Sequence, residues 1–298
     1  EENIPLETQD QLLGADYQKV IGAMTIEMEG KEITLPQAGK YMDGTDRALR
    51  QQAWEKISAR YLQDRDKLDA LYDQMVPLRQ KIAANAGFAN YRDYAFEAKQ
   101  RFDYTPGHCF EFHSGVERAI LPLVRRIMEK RRADMKLESL RPWDTKVDSL
   151  GRPPLRPYKD AAQLVSGVGE VFTRVDPELA AQFRFMADRK LLDLESRKGK
   201  APGGYQSTYS ERRVPFIFMN AAGLDGDVRT LLHEGGHAFH ALAARDLGIM
   251  PYRHAPMEFC EVASMSMELL ALPFLDVFFK NPDELQRARL GQIGRAHV

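Results

Sequence analysis

Apolar residues recur along most of this 298-residue chain at intervals of three and four, the spacing of one face of an α-helix. Leu49, Trp54, Ile57 and Tyr61, with Thr45 ahead of them as an N-cap, predict one helix; Leu68, Leu71, Met75, Leu78 and Ile82 predict the next, bent at Pro77. Segments 90–100 and 107–135 continue the pattern, which resumes near Asp160 and Pro177. Strand-like stretches are few. Residues 23–35 alternate around Glu29 and Gly30 and predict a β-hairpin. Residues 197–220 carry Gly199, Gly203 and Gly204, then the apolar run 214–219 with Pro215 inside it. Proline has no N–H to give to a sheet ladder, so this run is predicted at or near an edge. An edge leaves backbone donors and acceptors open to an extended peptide.

Between the helical blocks, Pro142, Pro153, Pro154 and Pro157 crowd residues 140–158, the mark of an ordered connector. The pattern therefore predicts a mainly α protein. A helical region spans 1–140 with its hairpin at 23–35, a Pro-rich connector spans 141–158, and a second region spans 159–292.

Composition narrows the partners. Lys plus Arg number 42 and Asp plus Glu 43, a net charge of −1, without the basic excess that nucleic acid binding uses. The longest apolar run, 269–279, is interrupted by Pro273 and Asp276 and is too short to span a membrane. Cys109 and Cys260, far apart and without metal-like spacing, read as buried thiols rather than a disulfide or ligands. No segment reads as a targeting signal, and the sparse cysteine points to the cytoplasm. Residues 293–298 (IGRAHV) correspond to the translation of a common sequencing-adapter DNA and are read as a scar, which keeps His297 out of the functional reading.

The stretch LLHEGGHAFH, residues 231–240, concentrates the candidate chemistry. Asp225, Gly226 and Asp227 supply a cap and first-turn acid for a helix that should run to about Arg245 and stop before Gly248 and Pro251. On it His233 and His237 stand at i and i+4, about 40° apart around the axis, so both imidazoles face one way. That suits two nitrogen ligands on one tetrahedral zinc, each at roughly 2.0–2.1 Å. Glu234, beside the first ligand, can take a proton from an activated water and pass it to a leaving amine. A chance HExxH is expected about 0.01 times in an ordinary chain of this length. The flanking Leu231, Leu232, Ala238, Phe239, Ala241 and Leu242 would bury the motif, and buried imidazoles need partners.

A third ligand is sought downstream, where PMEFCEVASMSMELL (256–270) offers Glu258, Glu261 and Glu268 roughly on one helix face. Glu261 is taken as the ligand, with Glu258 and Glu268 as outer carboxylates that orient the imidazoles. His240, three residues past His237, is open between a substrate or outer contact and plain packing. His254 and Tyr252 can approach the cleft from a loop, while His108 and His113 have no partner at metal spacing and read as structural.

HEGGHAFH followed by EFCEVASMSMELL resembles the thimet oligopeptidase and oligoendopeptidase F family of zinc metallopeptidases. LRPWD, GKAPGGY, VPFIFMN and GFANYRDYAF extend the resemblance over most of the chain from about residue 40. It implies a multi-helical, zincin-like peptidase with one zinc per chain, cutting oligopeptides. By motif it makes His233, His237 and Glu261 ligands and Glu234 the base, and it sets Tyr205 and the strand holding Phe216 and Phe218 against the substrate. It also places the family's C-terminal helical region, with a His and Tyr cluster acting on the tetrahedral intermediate, beyond residue 298, so the chain reads as a fragment. Gly235 departs from the larger apolar residue usual in the family. A zinc carboxypeptidase or dipeptidase of similar build, or a peptide-binding protein with a vestigial site, stays open as an alternative. Oligomeric state has no signal in the sequence.

Overall fold

A computed structural model describes residues 1–293; residues 294–298, most of the adapter-like segment with His297, lie outside the described part. The chain divides into two compact units, Glu1–Pro154 and a second beginning at Leu155.

The first unit opens with a helix that the apolar spacing did not predict, α1 (Ile4–Gly22), because only Leu13, Val20, Ile21 and Gly22 of it are buried. The hairpin follows as predicted: β1 (Thr25–Met28) pairs antiparallel with β2 (Lys31–Thr34), Thr25 opposite Thr34. Glu29 and Gly30 both take positive φ, 51° and 74°, as a two-residue turn matching strand twist requires. Thr34 then caps α2 (Leu35–Met42), its hydroxyl accepting from the Gln37 amide while the Gln37 side chain returns to the Thr34 amide. Ile26 and Met28 pack on Ala38, Met42 and Ala53.

α3 (Arg47–Gln63) is capped by Asp46 rather than Thr45, since the Asp46 carboxylate reaches the amides of both Ala48 and Leu49. α4 (Arg65–Asn85) runs through Pro77, and α5 (Tyr91–Ala98) and α6 (Pro106–Asp134) complete the helices of the unit. The LRPWD motif proves to be a structural knot here. Asp144, 0 % exposed, accepts from Arg47 at 2.9 and 3.0 Å, from Arg50 at 3.3 Å and from the Arg141 amide at 3.0 Å. A buried carboxylate survives only with such partners.

In the second unit α7 (Ala161–Val175) and α8 (Pro177–Asp188) start at Asp160 and Asp176 caps and bury Leu164, Val168, Val171, Phe172, Ala180, Phe183 and Met186. Three strands follow, β3 (Leu192–Glu195), β4 (Tyr205–Tyr209) and β5 (Val214–Ala221), in the order β3-β5-β4. This corrects one expectation: β5, with Pro215, is the central strand and β3 and β4 are the edges. Pro215 is tolerated because β3 pairs only from Ile217 onward, so its nitrogen faces no neighbour on that side. α9 (Asp225–Ala244), α10 (Met257–Ala271) and α11 (Pro282–Ile293) complete a mainly α fold. Among the described residues no helix is long and apolar enough to cross a membrane.

Candidate active site

The site grows from the way α9 is seated. Val228, Leu231, Leu232, Ala238, Phe239 and Leu242 enter the core, which leaves His233 and His237 on the opposite side. The cap differs from the sequence expectation. Asp225 is already helical, and Asp227 reaches back, its Oδ2 accepting at 2.8 Å from the amides of Ala222 and Leu224. The buried Tyr158 hydroxyl donates to the same oxygen and accepts from the Gly223 amide at 2.8 Å. Burial, then the Asp227 carboxylate, push the Tyr158 phenol far above its ordinary range, so it stays a donor.

The two glycines of HEGGH allow close packing on two sides. A Cβ on Gly236 would stand 2.7 Å from both the Ala263 carbonyl oxygen and the Ser264 Cα, so α10 lies directly against α9 there. A Cβ on Gly235 would stand 2.7 Å from the ring of Phe172, itself packed edge-on to Phe183 and Phe239. The residue that departs from the family pattern thus makes room for an aromatic core.

With the helices this close, His233 Nε2 lies 3.3 Å and His237 Nε2 3.7 Å from Glu261 Oε2. Two ligands at roughly 2.0–2.1 Å on a tetrahedral ion stand about 3.3–3.4 Å apart. The donor set is the His2Glu of zinc hydrolases, and its atoms converge closely enough to hold one metal.

Outside it, Glu268 Oε1 sits 2.8 Å from His233 Nδ1, leaving Nε2 for the shared point. That bond pushes the His233 pKa up, whereas burial pushes His237 down. Ser264, fully buried, has its hydroxyl 2.9 Å from Glu261 Oε2. Sequence reasoning missed it, although a serine three residues after a helical glutamate is a readable signal.

Glu234 is 6 % exposed, and burial raises its pKa to about 6. The Gln206 amide of β4 hydrogen-bonds the carboxylate, while among the described residues no donor reaches its Oε2. A buried, half-partnered carboxylate is costly to maintain and marks a group built for something other than stability.

Glu234, His233, His237 and Glu261 line a cleft of about 370 Å³ with Tyr205, Gln206, Thr208, His240, Arg253, His254 and Cys260. Cys260 and Cys109 are free and half-buried rather than buried, because α6 buries none of its residues and Cys260 faces the cleft. Phe216, Phe218 and Glu258 are not among the lining residues. Phe218 instead stacks on Tyr205 at 4.9 Å and Phe216 meets Tyr209 edge-on, so β5 braces β4 from behind. Glu258 is exposed in the first turn of α10.

The GKAPGGY loop is fixed by Lys200, whose buried ammonium meets the carbonyls of Asp193, Glu195 and Met219 and the Phe218 ring face. Asn220 holds the same loop through the carbonyls of Ala201 and Gly203. Tyr252 is exposed in the loop after α9. His108 accepts from the Thr105 amide at the start of α6, and His113 touches Phe110 and Phe112.

The model of peptidase family M3 matches residues 40–294. The chain belongs to peptidase family M3. Among curated relatives, the chromosomal oligoendopeptidase F of Lactococcus lactis subsp. cremoris is 24 % identical over 80 % of this chain and 38 % of its own length. The oligopeptidase PepF of Bacillus subtilis is 22 % identical over 82 % and 36 %. A putative oligoendopeptidase F from Bacillus anthracis superposes with a TM-score of 0.93 at 29 % identity, covering 99 % of this chain and 54 % of that one. PZ peptidase A, solved with an inhibitor, gives 0.94 at 30 % identity over 99 % and 52 %. The chain therefore spans about two fifths of the curated relatives' length and about half of the solved ones.

Proposed function

We propose that this chain carries the metal centre of a zinc endopeptidase that hydrolyses oligopeptides. The observation that supports it is the convergence of two Nε2 atoms and one carboxylate oxygen beside a buried, half-partnered glutamate. In this reading His233, His237 and Glu261 hold one zinc ion, and Glu268 and Ser264 orient the first imidazole and the carboxylate. The bound ion supplies Lewis-acid activation of water and of the scissile carbonyl. Glu234 accepts the water's proton, its raised pKa suiting it to return that proton to the leaving amine. The exposed edge of β4 holds the peptide extended, with Tyr205 beside it and His240 as an outer contact. The same family membership, through relatives named for oligopeptides, supports short peptides as substrates.

The test separates base from ligand. Glu234→Gln should abolish hydrolysis of a defined peptide by the zinc-loaded protein and leave bound zinc unchanged, whereas Glu261→Ala should lose zinc on dialysis. Normal turnover by Glu234→Gln, or full zinc retention by Glu261→Ala, overturns the respective role. Product lengths complete the test, since internal cuts mark an endopeptidase and single-residue trimming a carboxypeptidase.

A further inference from the structure

Past the metal donors the cleft does not end. It continues into a smaller recess lined by Thr208, Ser210, Arg213, Arg245, Met250 and Arg253, sharing Thr208, Ala241, Arg253 and His254 with the larger cavity. Arg213, Arg245 and Arg253 are among the residues that line this recess, and no acidic residue is among them.

Arg213 and Arg253 donate to backbone carbonyls, which fix them without cancelling their charge. Arg253 donates to Leu247 O at 2.8 Å and Gly248 O at 3.2 Å, and Arg213 donates to Arg245 O at 3.1 Å. Arg245 pairs at 3.7 Å with Asp246, whose side chain is 86 % exposed. Arg213 also takes a φ of 53°, a left-handed conformation unfavourable for a side chain of its kind, at the turn between β4 and β5. In a chain with a net charge of −1, this is a local concentration of positive charge beside a peptide-sized groove.

We propose that the Arg213–Arg245–Arg253 recess is a carboxylate-binding subsite, taking an acidic side chain or the free carboxyl terminus of the peptide that lies along β4. The inference rests on the peptide-binding part of the function proposed above. Guanidinium groups held in place match carboxylates through paired N–H donors and need little further ordering to bind them. From Gln206, which contacts Glu234, to Ser210 is four residues, about 13 Å of extended chain. The recognised carboxylate thus falls about three or four residues from the reacting bond.

The experiment measures binding, so it does not depend on turnover. The zinc-loaded chain carrying Glu234→Gln is titrated by fluorescence anisotropy with matched oligopeptides at low salt. One series moves a single Glu along the sequence against Gln at the same position, and another compares a free with an amidated carboxyl terminus. Binding about tenfold tighter for the acidic member of either series supports the subsite, and which series responds identifies the source of the carboxylate. Arg245→Glu and Arg213→Glu should erase that advantage and favour a Lys-bearing peptide instead, a reversal that a merely misfolded variant would not give. Equal binding of acidic and neutral peptides, no binding of any peptide, or an advantage that survives both reversals overturns it. Failure of the wild-type chain to hydrolyse peptides while the acidic preference persists would count against the proposed activity alone.

Discussion

At the residue scale the two glycines of HEGGH carry different constraints. Alanine at 236 meets backbone of α10, which cannot yield without parting the two helices that present His233, His237 and Glu261. Alanine at 235 meets the edge of one ring. Overpacking costs about 1–3 kcal/mol, and a helical Gly→Ala change returns about 1 kcal/mol of propensity. Gly236→Ala should therefore lower both the melting temperature and zinc affinity, whereas Gly235→Ala, which presses on the buried Phe172 ring, should lower the melting temperature but leave zinc binding intact. Thermal unfolding and zinc titration of the pair check this; unchanged zinc affinity in Gly236→Ala contradicts it. The spacing of the histidines was legible from helix geometry alone. The role of Gly235 was not, because its neighbour Phe172 lies 63 residues earlier in the chain.

At the scale of elements, α9 holds its orientation through the Tyr158–Asp227 pair as well as through its apolar side. Tyr158→Phe leaves the Gly223 amide without its acceptor and removes a donor from a buried carboxylate. An unpaired buried polar group costs about 1–3 kcal/mol. A lower urea midpoint, whose shift multiplied by an unchanged m-value gives that free energy, is the expected result, and no shift would show the hydroxyl to be dispensable. Several elements were legible in outline: the hairpin from alternation around Glu29 and Gly30, and α7 and α8 from their aspartate caps. Strand order was not, because a proline marks a missing donor without saying which neighbour is missing. The structure resolves this by leaving Pro215 outside the β3 pairing and setting β5 between the edge strands β3 and β4. LRPWD likewise reads as a motif in the sequence, but its purpose depends on Arg47 and Arg50, more than ninety residues away.

At the scale of the whole molecule, a metal held by donors from both α9 and α10 would bind the folded state and not the unfolded chain. Mass action then adds about 2.7 kcal/mol of stability when free metal reaches a hundredfold its dissociation constant. Adding zinc should raise the melting temperature, chelation should reverse the rise, and His237→Ala should abolish the response. A melting temperature indifferent to zinc in the wild-type chain would remove the metal from the reading.

By itself the sequence determined a mainly α chain, the common face of His233 and His237, the neighbouring Glu234 and the short set of downstream glutamates, because each depends only on helix geometry and residue chemistry within a few turns. Tertiary structure alone decided that Glu261 meets both imidazoles while Glu268 stands behind His233 and Glu258 is exposed outside the cleft lining. It also decided that β4 lines the cleft and that three arginines gather beyond it. These relations join residues far apart in the chain, and only the close packing of α9, α10 and β4 turns separations in sequence into distances.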